Sequence, residues 1–245
     1  MSALLGVPMG AAYHLVFGLA TVLSPLFGSL AAATAIVVFT MAVRLILVPL
    51  SYRAMKGMDA QAKLAPQVRA LRKKHSGQPE AFQRALAALY RAEGTSLYAG
   101  CLPILVQWPF FSVMYLVFRS PVIGGIHNAL LSHDLFGAPL GSYLLSGAGL
   151  FSAHGAVFAG LFLVLAVIGW VTARRARALA DTGGGAPTTA GSMPAALTRF
   201  MPYITVAFAA FLPLASGLYL ATTSAWTLAE RVVMRRLAVR RAALA

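Results

Sequence analysis

One ionisable residue lies where a charge is expensive. From Ser29 to Leu50 the chain reads SLAAATAIVVFTMAVRLILVPL, and Arg44 is its only charge. A cation at the centre of a spanning helix costs about 2.5–3.5 kcal/mol on insertion scales, so it usually faces a polar cavity and marks function. At 1.5 Å per residue, Arg44 lies roughly 9 Å from the Leu50 end and roughly 21 Å from the Leu30 end. Two readings follow: the side chain snorkels to the nearer headgroups, or it charges a hydrophilic hollow. Other polar residues bear on the choice. Thr40 lies one turn away, Gln107 sits in the middle of a second apolar run, and the last run carries Tyr219, Thr222, Thr223 and Ser224. Each alone suits an interhelical hydrogen bond; together with Arg44 they would line one cavity.

Other chemistries lack their residues. His14, His127, His133 and His154 show no i, i+4 pairing, and His75 sits in a turn, so no metal site is expected. Of the six acids only Glu230 touches a span, at its very end; proton pumps and ion-coupled transporters place acids or histidines at mid-membrane. Gly183–Gly185 belong to a linker and not to a phosphate loop. Cys101 is the single cysteine, which rules out an intrachain disulfide. The expectation is a protein with no cofactor that is not an enzyme.

The elements that must hold these residues are membrane helices. The chain has 245 residues, of which 59% are hydrophobic and 11% charged, far too apolar for an ordinary soluble domain. Its 20 basic residues against 6 acidic ones would suggest nucleic acid if they formed one soluble face. Instead they fall in blocks between apolar runs, so no DNA partner is expected. Spans are expected at about 29–50, 97–118, 155–172, 199–213 and 216–230, the last two divided near Pro213 because one helix over 200–229 would be roughly 45 Å long. Nine basic residues then lie between the first two spans, four between the third and fourth, and five after the last, which places eighteen of the twenty on one side. The positive-inside rule makes that side cytoplasmic, with the N-terminus outside and the C-terminus inside a cell membrane.

Between the first two spans, residues 51–96 read as a basic cytoplasmic helical hairpin. His75–Pro79 supplies the turn, Phe82, Leu86, Leu89 and Tyr90 form one stripe, and Gly94 is the stop. Residues 1–28 carry Tyr13, Val16, Phe17, Ala20, Leu23 and Phe27 at helical spacing, which suits an amphipathic helix at the outer interface; a sixth span is the competing reading. Residues 173–198 are expected to be a linker and 237–245 a basic tail, whose arginines suit anionic lipid.

These motifs together resemble a known family. Gly100-Cys-Leu-Pro-Ile-Leu-Val-Gln-Trp-Pro-Phe110 is similar to the G-C-x-P-x-x-x-Q-x-P-[IF] pattern of the YidC/Oxa/Alb membrane protein insertases. Val43-Arg-Leu-Ile-Leu-Val-Pro-Leu50 resembles their first core span. Gln61–Arg72, with Lys63, Pro66, Arg69 and Arg72, and Leu89-Tyr90-Arg-Ala-Glu-Gly94 resemble the two arms of their cytoplasmic hairpin. Phe200-Met-Pro202 and Ser216-Gly-Leu-Tyr-Leu220 resemble their last two spans. The resemblance covers about residues 13–236. It implies an all-α polytopic membrane protein, with five core transmembrane helices around a cytoplasm-open hydrophilic groove. It implies insertion and folding of nascent membrane proteins, alone or beside the Sec translocon, with the ribosome and anionic lipids as further partners. The chain departs from the pattern at Ser96-Leu97, Leu220 and Ser224. The alternative from another class is a small transporter or channel for anionic solutes. The Ala/Arg-rich composition suits a high-GC bacterium, and a high-GC Gram-positive source fits the expectation of no large extracytoplasmic domain.

Overall fold

The computed structural model describes residues 2–94, 102–144, 152–181 and 204–243. The chain divides into two compact units: Met1–Ile46, Trp108–Trp170 and Pro202–Ala245 form one, and Leu47–Gln107 with Val171–Met201 the other. The expected linker beyond Asp181, the start of the fourth span and the Gly100-Cys101 pair lie outside the described residues.

Helix α1 (Ser2–Phe27) ends where Gly28 takes φ +52, a left-handed conformation that glycine adopts without strain. A 3-10 turn, Gly28–Leu30, leads into α2 (Ala31–Lys63). Then come α5 (Leu102–Arg119), α6 (Ala153–Asp181), a helix α7 over residues 204–209, and α8 (Leu214–Ala243). Among the described residues, two helical runs are long and apolar enough to cross a membrane, Gly6–Lys63 and Ala153–Ala178. The described residues are thus mostly α-helical, with helices of membrane-crossing length.

Several boundaries differ from the sequence expectation. Helix α2 does not stop at Leu50 but continues through Pro49 and on to Lys63, because residues 51–63 are mostly good helix formers. Helix α6 continues to Asp181, so residues 173–181 of the expected linker are helical. The division near Pro213 is present as a turn over 210–212, with α8 starting just after the proline. Proline disfavours helix in the residue before it and is well suited to start the next one.

In the first unit the core joins Ala12, Tyr13, Val16 and Ala20 of α1 to Ala32, Ala35 and Ile36 of α2. Met114, Val117 and Phe118 of α5, Phe158 of α6, and Leu214, Ala215 and Tyr219 of α8 complete it. The opposite face of α1 is also apolar, with Leu15, Val22 and Leu26 exposed, so this helix is less amphipathic than its spacing suggests.

The connection from α5 to α6 shows structure that hydrophobic periodicity could not reveal. It holds two small antiparallel hairpins, β1 (Val122–Ile123) with β2 (Ile126–His127) and β3 (Asp134–Leu135) with β4 (Ala138–Pro139). Asn128 organises it. Its Nδ2 donates to the carbonyls of Val117 at 2.7 Å and Ser120 at 3.0 Å, and its Oδ1 accepts from Leu130 N at 3.2 Å. The connection also caps α8: Leu214 N donates to Ser142 O and Ala215 N to Leu140 O, both at 2.9 Å, satisfying donors that a helix start leaves open. Ser142 Oγ meets His154 Nε2, at the start of α6, at 2.9 Å. Strand β3 packs against the 3-10 turn before α2. The starts of α2, α6 and α8 and the end of α5 thus meet at one end.

In the second unit, α3 (Ala65–Lys74) and α4 (Pro79–Ala92) pack on one another as a hairpin. Gly77 at φ +84 makes the turn, and Gly94 at φ +60 follows α4.

Candidate functional site

Arg44 lies midway along α2 and is half-buried, while Leu45 and Ile46 beside it are exposed. Tyr219 and Glu230 of α8 lie within electrostatic reach of its guanidinium. From the capped end, Arg44 is about 20 Å down α2, and Thr223 to Glu230 are about 13–24 Å down α8 at 1.5 Å per residue. The two helices therefore present these groups at matching depth.

The α8 side of the site follows from its spacing. Ser216, Tyr219, Thr223, Trp226 and Glu230 recur in steps of three and four, so they share one helix face. Ser216 Oγ, Thr223 Oγ1 and Trp226 Nε1 are buried and have no hydrogen-bond partner among the described residues. Buried polar atoms are normally bonded to protein or to water, so this face is suited to water or to a polar chain segment. Tyr219 is buried, and its ring packs at 6.3 Å from Phe111, which in turn lies 6.1 Å from Phe208.

The expected groove residues thus fall into different settings. Tyr219 and Thr223 share the polar face beside Arg44. Ser224 is half-buried and turned about 100° from Thr223 around the helix. Thr40 is buried, and its hydroxyl donates to Ile36 O at 2.6 Å, one turn back on its own helix. Gln107 is half-buried and belongs to the other unit. Sequence reasoning missed Ser216 and Trp226 and treated Glu230 as a boundary residue; the three-four spacing starting from Tyr219 was the available signal.

In the hairpin, Lys63, Pro66, Arg69 and Arg72 are all exposed, Pro66 being the second residue of α3. The Arg72 guanidinium lies over the Phe82 ring of α4 at 5.7 Å, a cation–π contact between the two arms. Tyr90 is buried, and burial pushes its phenol above the ordinary tyrosine range, so it stays neutral at physiological pH. The result is a basic outer surface held on a small apolar seam. Among the described residues, no group of His, Cys, Asp and Glu is placed to hold a metal.

An α-helical membrane protein with one buried polar face beside a half-buried arginine is the class these features define. A profile of the 60Kd inner membrane protein family matches residues 22–241, and the chain belongs to that family. A protein of Helicobacter pylori named membrane protein insertase YidC is 37% identical over 102 residues, covering 41% of this chain and 19% of that protein. Proteins of the same name from Campylobacter jejuni and Chlorobium phaeovibrioides are 37% identical over 102 residues and 34% over 100, each across 41% of this chain. The matched segment spans about a fifth of the length of these curated relatives.

Proposed function

We propose that this protein inserts and folds other membrane proteins, with Arg44 and the polar face of α8 forming the recess that receives a client's hydrophilic segment. The observation that carries this reading is the placement of Arg44 within electrostatic reach of Tyr219 and Glu230, beside buried hydroxyl and indole groups. A client tail crossing hydrocarbon must shed its water, and each unsatisfied polar group then costs several kcal/mol. A recess with polar donors and a fixed cation inside the span lowers that cost without making or breaking a covalent bond. The names of the relatives agree with this activity.

The proposed topology has five core spans, the N-terminus outside and the C-terminus inside. The meeting of the α2, α6 and α8 starts with the α5 end supports it, since those helices then alternate in direction. Helix α1 is proposed to lie along the outer interface. Tyr13 Oη donates to His127 O at 3.4 Å, and β3 packs beside Gly28–Leu30, so the irregular α5–α6 connection follows α1 for about 22 Å. Were α1 a span, that irregular backbone would run through hydrocarbon, which lipid-exposed loops do not do. Nascent chains are the proposed clients, with the Sec translocon, the ribosome and anionic lipid as partners of the basic hairpin and tail.

The test is reconstitution. Purified protein in liposomes, given a newly synthesised single-span client, is expected to yield a protease-protected fragment that empty liposomes do not. Equal protection in both would reject the reading, and anion flux without insertion would favour a transporter.

A further inference from the structure

The second hairpin of the α5–α6 connection turns through Phe136 and Gly137, at φ +51 and φ +84. Two left-handed central residues define a type I′ turn, which favours Asn, Asp or Gly at its first position. The first hairpin obeys this preference with Gly124 and Gly125, at φ +58 and +83. Phe136 does not, and a bulky residue in that region is strained. Its ring is not used for packing either, being 71% exposed. The flanking residues hold the turn firmly, for Ala138 is fully buried and Leu135 packs against the core. An aromatic ring is therefore held outward at a position where neither the turn nor the protein interior calls for one.

The surroundings say what covers it. Strand β3 packs against Gly28–Leu30, which directly follow Leu26 and Phe27, 79% and 45% exposed. The hairpin also stands at the end where α2, α6 and α8 begin, so it is tethered beside membrane helices at their outer ends. Exposed apolar side chains at that level meet the boundary between headgroups and acyl chains, where interfacial elements bury Phe, Leu and Trp. We propose that Phe136 is a lipid anchor, and that the β3–β4 tip dips into the outer leaflet beside the end of α1. This inference rests on the topology proposed above.

Two nitroxide experiments in liposomes of phosphatidylcholine and phosphatidylglycerol test it, in a Cys101→Ser background that removes the single native cysteine. A label at Phe136→Cys is expected to relax more with oxygen than with a water-soluble nickel chelate, and a label at Asp134→Cys the reverse. Because the label replaces the ring, a second arm keeps it at position 134 and compares Phe136 with Phe136→Asn, which suits the turn. Nickel accessibility at 134 is expected to rise at least twofold when the ring is removed. Water-like accessibility at 136, or no change at 134, would overturn the anchor, as would protection of 136 that appears only when a partner protein is added. Labelling of Asp134→Cys in intact cells by an impermeant maleimide checks the topology separately. If that site is reached from outside while 136 is water-accessible, the anchor alone fails.

Discussion

Arg44 on α2 and Glu230 on α8 lie within electrostatic reach of one another, although 186 positions separate them in the sequence. The carboxylate moderates the field that a lone intramembrane cation would set up. Removing Glu230 takes a nearby countercharge from Arg44, which is costly where water is scarce, whereas Glu230 also lies within electrostatic reach of Arg231. Glu230→Gln is therefore expected to slow insertion of a client with an uncharged tail more than one with an acidic tail, because the bare arginine attracts carboxylates. The pair Arg44→Gln with Glu230→Gln should recover folded protein relative to Arg44→Gln alone. Purified yield and client protection measured across the four variants check this, and strict additivity would contradict the pairing.

Asn128 is expected to be the most sensitive residue of the α5–α6 connection. It is fully buried and uses both its amide nitrogen and its oxygen. Asn128→Ala orphans the carbonyl of Val117 and is expected to cost about 1–3 kcal/mol. Asn128→Asp should cost more, since it sets an acceptor against carbonyls. Thermal unfolding in detergent measures both, and an unchanged midpoint for Asn128→Asp would refute the role.

Gly217 of α8 faces Leu161 of α6. A Cβ there would stand 2.5 Å from Leu161 Cδ2, so the leucine must move even for alanine. Gly217→Ala is expected to be tolerated with a small loss, and Gly217→Val to cost about 1–3 kcal/mol through overpacking. Gly217→Val paired with Leu161→Ala should regain part of that loss in the same unfolding assay.

Topology has its own test. Cysteines placed at Ser76, in the hairpin turn, and at Asp134, in β3, are expected to behave oppositely in intact cells without Cys101. An impermeant maleimide should label position 134 and spare position 76. Labelling at 76 from outside would invert the proposed orientation.

Much of the fold was legible where local chemistry is strong. The turn at His75–Pro79, the stop at Gly94 and the division near Pro213 are each written in residues with special backbone preferences. Helix over most of residues 54–74 could be read from their propensity, but not its continuity with the span in α2, because a change from apolar to polar side chains ends a span without ending a helix. The hairpins between α5 and α6 have strands of two residues, too short for any periodicity. At the site, Arg44 declared itself through the cost of its charge. Ser216, Trp226 and Glu230 did not, since a helix face becomes a site only when a second helix stands opposite. Thr40 shows the converse: its place one turn from Arg44 could be read, but not the direction of its hydroxyl toward Ile36 O.

The most direct measurement of the central claim is insertion by Arg44 variants. Wild type, Arg44→Lys and Arg44→Ala would be reconstituted in equal folded amounts and given a single-span client with an acidic N-terminal tail. If the recess works through its field and hydration, the lysine variant keeps much of the activity, since it retains the charge and loses only the planar fork. The alanine variant should fall by about tenfold or more, a loss of about 1.4 kcal/mol in the crossing step. An arginine that merely snorkels predicts instead that alanine costs nothing, because removing the cation favours the span. Full activity of Arg44→Ala on that client would contradict the account.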